Sequence, residues 1–83
     1  MTLSNLQTIS YSALKILYET IEELLKMYPD GLTNSEIAHN LELGSSHENA
    51  QHDYLTYSLL GNMMKVGKVK KTKIKRKVLY ILL

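Results

Sequence analysis

The chain has 83 residues, of which 45% are hydrophobic, and this length limits it to one small domain with an economical core. It contains no cysteine, which excludes disulfide bonds, thiolate metal sites and cysteine nucleophiles. The formal net charge of +2 hides an asymmetry: residues 1–64 carry two bases against eight acids, net −6, whereas residues 65–83 carry eight bases and no acid, net +8. This asymmetry favours a polyanion partner for the C-terminal part, with a solvated charged surface as the alternative.

Apolar residues recur at spacings of three and four from Tyr11 to Tyr28 and predict an amphipathic first helix. The stripe consists of Leu14, Leu17, Tyr18, Ile21, Leu24, Leu25 and Tyr28. Pro29-Asp30-Gly31 predicts a turn that ends this helix. Residues 1–9 are expected to form an N-terminal extension.

A short second helix is predicted after Thr33, because Thr33 and Glu36 have the spacing of a capping box. Ile37, Ala38 and Leu41 would form its apolar face. We expect the chain to leave this helix at Gly44, a residue that tolerates positive φ.

A third helix is predicted from about residue 50 to residue 66. Projection at 100° per residue places five apolar residues on one face: Leu55, Leu59, Leu60, Met63 and Val66. The residues expected to point away are Tyr54, Ser58, Gly61, Asn62 and Lys65, with Tyr57 on the flank.

Two β-prone runs, residues 68–73 and 77–82, flank a basic turn and predict a β-hairpin. The region keeps more apolar residues than a disordered basic tail, which cannot bury enough surface to offset the entropy of ordering. We therefore expect a folded arm that displays charge.

The stretches "GLTNSEIAHNL" and "LLGNMMKVGKVKK" resemble the winged helix-turn-helix family, and the resemblance covers residues 10–83. In that family the third helix commonly ends with leucines four and seven positions before a glycine, which is followed by a hydrophobic and a basic residue. Here those places hold Leu60, Met63, Gly67, Val69 and Lys70. The resemblance implies one mainly α winged-helix domain over residues 1–83, with a three-helix core at 10–66 and a β-hairpin wing at 67–83. It also implies that the third helix enters the DNA major groove while the wing lies along phosphates or a neighbouring groove.

Seven hairpin cations would neutralise phosphates and release counterions: Lys68, Lys70, Lys71, Lys73, Lys75, Arg76 and Lys77. The alternative is an edge hairpin whose lysines prevent edge-to-edge aggregation. Side chains of the third helix that can hydrogen-bond to nucleotide bases or phosphates are Gln51, Tyr54, Tyr57 and Ser58, with plain solvent exposure or packing as the alternative. Further candidates for the DNA backbone are Ser45, Ser46 and His47, and Asn34 and Ser35 near a helix N-terminus.

Nothing in the sequence predicts an enzyme, a cofactor or a metal site. In "HENAQH" His47 and His52 are five residues apart, about 140° around a helix, which does not suit zinc binding. A glycine-rich phosphate loop, GxSxG and paired catalytic acids are also missing from the sequence. The sequence shows neither a leader pattern nor the roughly 20 apolar residues that span a bilayer, so we expect a cytoplasmic protein with no membrane partner.

These patterns predict a DNA-binding protein, a small transcriptional regulator with double-stranded DNA as its partner. The alternative is a protein-interaction winged helix that serves as a subunit or adaptor of a larger complex. Salt-dependent retention on DNA separates the two, because only the first predicts it.

The C-terminal run "VLYILL" has apolar residues on both faces of its strand. One face can cover the helices, and the other needs the N-terminal segment with Leu3, Leu6 and Ile9, or a partner subunit. We expect a homodimer built from the N- and C-terminal apolar segments. The alternative is that residues 3–9 fold back over their own strand.

Overall fold

A computed structural model describes residues 1–44 and 53–83 of the chain. Within these residues three helices are followed by a two-stranded antiparallel sheet, which gives a small, mainly helical α+β fold. The elements are α1 (Leu3–Lys26), α2 (Asn34–Asn40), α3 (Tyr54–Lys65), β1 (Val69–Ile74) and β2 (Lys77–Leu82). The predicted order of helices and strands is confirmed.

Helix α1 is 24 residues long and begins at Leu3, well before the predicted start at Tyr11. The Thr2 hydroxyl caps it by accepting a hydrogen bond from the Asn5 amide at 3.1 Å. The expected separate extension at residues 1–9 is therefore wrong, since residues 3–9 continue the helix. The alternative of a fold-back over β2 is wrong for the same reason, and Leu3 remains 71% exposed.

The turn after α1 brings the chain against β2. The Gly31 amide donates to the Tyr28 carbonyl oxygen at 2.9 Å, which confirms the predicted turn. Gly31 has φ +94°, and a Cβ there would lie 2.9 Å from Cγ1 of Ile81. The next residue, Leu32, exchanges two backbone hydrogen bonds with Tyr80, at 3.2 and 2.8 Å. Gly31 thus covers part of the second apolar face of β2.

Helix α2 begins with the predicted capping box. The Thr33 amide donates to Oε1 of Glu36 at 2.9 Å, and the Glu36 amide donates to the Thr33 hydroxyl at 3.1 Å. The helix ends differently from the prediction: the residue with positive φ is Glu42, at +55°, and not Gly44. Leu43 N–H bonds to the Ala38 carbonyl at 2.8 Å, which completes a Schellman turn around Glu42.

Helix α3 buries Leu59, Leu60 and Met63, as predicted. Two assignments were wrong, because Leu55 is 45% and Val66 is 72% exposed. The sequence pattern missed Thr56, which is fully buried; its hydroxyl donates to the Asp53 carbonyl oxygen at 3.1 Å and so loses no hydrogen bond on burial. The buried arc is centred on Thr56 and Met63, so Leu55 and Val66 fall outside it, beyond Leu59.

The hairpin pairs Val69 with Leu82 at one end and Ile74 with Lys77 at the other. Its first end joins the core, which draws on all five elements and on Leu32 between them. The buried cluster consists of Ile21, Leu24, Leu25, Leu32, Ile37, Leu59, Leu60, Met63, Val69 and Tyr80. The core therefore fixes the position of the hairpin relative to the helices.

Candidate nucleic-acid interface

The hairpin tip, residues 74–77, is a two-residue turn closed by the Ile74–Lys77 pair. Lys75 occupies the left-handed region with φ +58°, a conformation that costs a residue with a side chain about 1–2 kcal/mol. Because the turn is tight, Lys75, Arg76 and Lys77 are close together at the end of the arm. All three are exposed.

The hairpin cations lie on both faces of the sheet. Side chains of paired residues in an antiparallel ladder point to the same face. Lys71 and Lys73 therefore share a face with Tyr80, whereas Lys70 and Lys77 lie on the opposite face. All seven hairpin cations are exposed. A polyanion can thus meet positive charge from either side of the arm and from its tip.

Acidic groups neutralise little of this charge. Within residues 1–44 and 53–83, the one hairpin cation at salt-bridge distance from a carboxylate is Lys68, whose Nζ lies 3.9 Å from Oε1 of Glu22. Hydrogen bonds from the backbone and side chain of Thr33 lower the pKa of Glu36, and the charge of Lys77 adds a smaller effect. Lys77 is therefore near the N-terminal end of α2 without forming an ion pair there.

The outer face of α3 is formed by Tyr54, Tyr57, Ser58, Gly61 and Lys65, within about 100° of arc. Both tyrosines are well exposed, at 69% and 60%. A Cβ added at Gly61 would meet no atom within 4 Å, so this face has a flat, open centre. Lys65 was not among the predicted site residues, although the helical projection places it with Ser58, seven positions earlier.

Two observations relate the first turns of α3 to the hairpin and to α2. Burial raises the pKa of the Tyr80 hydroxyl and the nearby Tyr57 raises it further, so Tyr57 lies close to the hairpin. The side-chain amide of Asn34 donates to the Asp53 carbonyl oxygen at 3.1 Å, which ties the start of α2 to the start of α3. The start of α3 is therefore joined to the start of α2, and Tyr57 on the flank of α3 lies near Tyr80 of β2.

The predicted site residues divide into three groups. The hairpin cations and Tyr54, Tyr57 and Ser58 are exposed and lie on the surfaces described above. Ser35 is exposed, while half-buried Asn34 uses its amide nitrogen in the bond to Asp53. Ser45, Ser46, His47 and Gln51 lie outside the described residues.

A search of residues 1–44 and 53–83 found no cluster of three His, Cys, Asp or Glu side chains that could hold a metal ion. None of the helices in this part of the chain combines the length and apolar character needed to cross a bilayer. Comparisons of the chain with protein-family models, with curated proteins and with solved structures found no match. The charged hairpin and the outer face of α3 are therefore the features of the molecule that point to a function.

Proposed function

We propose that this chain is a winged-helix DNA-binding protein that acts as a small transcriptional regulator. The outer face of α3 enters the major groove, and the hairpin serves as a wing on the phosphate backbone. The observation that carries the proposal is the display of seven exposed cations on a hairpin whose other end is part of the core. An arm held in this way loses little conformational entropy when it binds a polyanion.

Phosphate contact by the hairpin and contact with nucleotide bases by α3 make different contributions. The hairpin cations supply an affinity that does not depend on DNA sequence, because they neutralise phosphates. Tyr54, Tyr57 and Ser58 present hydroxyl groups that can donate to or accept from the edges of nucleotide bases. Gly61 has no side chain, and open space surrounds it on this face. The helix backbone can therefore approach a DNA groove closely at this position.

A second candidate function is protein binding, and the composition of α3 favours it. Tyr54, Leu55 and Tyr57 are all at least 45% exposed at the start of this helix, and exposed aromatic side chains are enriched in protein interfaces. In that case α3 packs against a larger complex, and the hairpin cations serve only to prevent edge-to-edge aggregation of the strands.

Equilibrium binding to a duplex of unrelated sequence separates the two functions. If most of the hairpin cations reach phosphates, the affinity should fall by roughly 10²- to 10⁴-fold between about 50 and 200 mM salt. Fluorescence anisotropy of a labelled duplex measures this directly. Retention that is absent at about 50 mM salt, or that does not change with salt, would eliminate the DNA proposal and favour protein binding.

Selection from a random duplex pool at fixed salt then tests whether α3 reads sequence. Enrichment of one motif, lost on replacement of Tyr54 and Ser58 by alanine, is the expected result. Strong binding without any enriched motif would assign the protein to backbone recognition alone.

A further inference from the structure

Within residues 1–44 and 53–83, the first half of α1 has no buried residue and does not contribute to the core. Every residue from Met1 to Ile16 is exposed, and contact with the core begins at Leu17. At a rise of 1.5 Å per residue, residues 3–16 extend about 20 Å beyond the packed part of the helix. Such a projection is unfavourable in an isolated chain, because it exposes several large apolar side chains to water.

Four of the exposed residues form a regular seam: Leu6, Ile9, Ala13 and Ile16, referred to below as the α1 seam. Their spacings of three, four and three are those of the a and d positions in a helical coiled coil. The centre of the seam is about 100° around the helix from Ile21, which is fully buried, and its Leu6 edge is in line with the buried Leu24. The seam is therefore a second apolar stripe that adjoins the core-facing stripe and is centred away from it.

The composition of this half of the helix argues that a partner stabilises it. Residues 4–12, "SNLQTISYS", are rich in Ser, Thr and Asn, which form helices poorly because their side chains compete for backbone hydrogen bonds. Residues 2–14 also contain no charged side chain that could form stabilising pairs along the helix. An isolated helix of this length is marginal in water, so packing must supply the stability.

We propose that the α1 seam binds a second copy of this chain as an antiparallel helix pair. In this arrangement Leu6 packs against the partner's Ile16, and Ile9 packs against the partner's Ala13. Because the seam is its own complement under two-fold symmetry, one surface serves both protomers. Burial of the seam and its flanking side chains from two copies removes roughly 1,000 Å² from water, which is about the minimum expected of a biological interface.

Charge decides the orientation. Continuation of the seam spacing beyond Ile16 leads to Thr20 and Glu23, so a parallel pair would place the two copies of Glu23 against each other. An antiparallel pair instead places Glu19 and Glu23 beside the N-terminal end of the partner's α1. That end carries the positive pole of the helix dipole, and its own first turn contains no acidic residue.

A lipid bilayer is the competing occupant of an exposed apolar helix face. Helices that lie on membranes usually carry Lys and Arg beside the apolar face to attract anionic headgroups. The first 14 residues carry neither, and Lys15 is the one base near the seam. The self-complementary spacing and the absence of flanking bases both favour a second copy.

The dimer has a further consequence if the chain binds DNA as proposed. The dimer itself does not depend on DNA binding. Antiparallel pairing of residue 6 with residue 16 sets the two copies of Glu22, whose Oε1 lies 3.9 Å from Nζ of the hairpin residue Lys68, about 33 Å apart along the helix axis. This separation is close to one turn of DNA, the usual distance between half-sites of a two-fold symmetric binder.

Sedimentation equilibrium of the full chain without DNA tests the dimer. At micromolar concentration the wild type should have twice the 9.5 kDa mass of one chain. Ile9→Glu and Ile16→Glu should each convert it to the monomer, and both positions are exposed, so the core is unaffected. Tyr11→Glu is the matched control, because Tyr11 is 74% exposed on the opposite side of α1. A monomeric wild type, a dimer that both seam variants leave intact, or equal disruption by Tyr11→Glu overturns the proposal.

Disulfide cross-linking tests the orientation, since the chain has no cysteine of its own. A mixture of Leu6→Cys and Ile16→Cys protomers should form a mixed disulfide, whereas neither variant alone should cross-link, because like positions lie about 15 Å apart. Rapid cross-linking of Leu6→Cys with itself would show a parallel pair and refute the antiparallel arrangement. Co-sedimentation of a monomeric wild type with vesicles of mixed neutral and anionic lipid would assign the seam to a bilayer instead. Because these assays contain no DNA, they can fail while DNA binding holds, and the reverse.

Discussion

The two ends of the hairpin differ although they share the same two strands. At the first end, which we call the hairpin root, Val69 and Tyr80 are 2% and 3% exposed and the Leu32 backbone pairs with β2. At the tip, Lys75 and Arg76 are exposed and the apolar Ile74 is 53% exposed. The root holds the arm in the core, and the tip is free of that packing. Stability and binding should therefore respond separately to substitutions at the two ends.

Tyr80→Ala should have the largest effect on stability. Removal of a buried aromatic side chain from the root should lower the free energy of unfolding by about 3–5 kcal/mol. Lys73→Ala, on the same face of the hairpin but exposed, should change it by no more than about 0.5 kcal/mol. Urea unfolding followed by circular dichroism measures both. Equal losses for the two variants would mean that the root does not support the fold.

Helix α3 shows the same contrast between its inner and outer faces. Leu60→Ala should destabilise the protein by about 2–5 kcal/mol, because Leu60 is fully buried and its removal leaves a cavity. Tyr54→Ala should instead weaken DNA binding more than it lowers the melting temperature. Thermal melts and anisotropy titrations test the pair. A melt in which Tyr54→Ala is the more damaging change would mean that the faces of α3 are assigned incorrectly.

Lys75→Gly should raise stability while it weakens binding. Glycine removes the cost of the left-handed conformation, about 1–2 kcal/mol, while the loss of one cation should reduce the slope of log affinity against log salt by about 1. Glu42→Gly is the control at a second left-handed position, where φ is +55° and the residue follows α2 and is distant in sequence from the hairpin. It should raise stability equally and leave the salt slope in place. A matching drop in slope for Glu42→Gly would contradict a special role of the tip.

The smallest effect concerns the Glu36 carboxylate in the capping box. Hydrogen bonds from the backbone and side chain of Thr33, with a smaller effect of Lys77, lower its pKa in the folded state. A lowered folded-state pKa contributes stability above the unfolded-state pKa, and this contribution disappears as the pH falls through the folded-state pKa. Glu36→Gln should therefore be slightly less stable than the wild type at neutral pH and equally stable in strong acid. A stability difference that grows on acidification would rule out this contribution.

The features that the sequence predicted correctly depend on local interactions. The capping box of α2 needs only Thr33 and Glu36 at the right spacing, and its two hydrogen bonds form within one turn. The hairpin follows from β-prone residues on both sides of a short polar turn. Leu60 was identified as a core residue because it belongs to the apolar stripe of α3, and it is fully buried.

The features that it did not predict depend on neighbours distant in the sequence. The orientation of α3 depends on which elements pack against it, so Thr56 is buried while Val66 is exposed. The early start of α1 had a weak local signal in Thr2 and Asn5, which the poor helix propensity of the next residues obscured. The left-handed residue after α2 was expected to be a glycine, and the sequence has Gly44 there. The structure instead uses Glu42, two residues earlier.

The most direct test of the proposed function compares two double variants with the same charge. Lys75→Ala/Arg76→Ala removes two cations from the hairpin tip, and Lys15→Ala/Lys26→Ala removes two from α1. Affinity for one duplex is measured by anisotropy across about 50 to 200 mM salt. Phosphate binding by the hairpin predicts that the tip variant loses about 2 from the slope of log affinity against log salt, while the α1 variant keeps the slope of the wild type. Identical slopes for the two variants would contradict the account, because charge would then matter only in total and not at the tip.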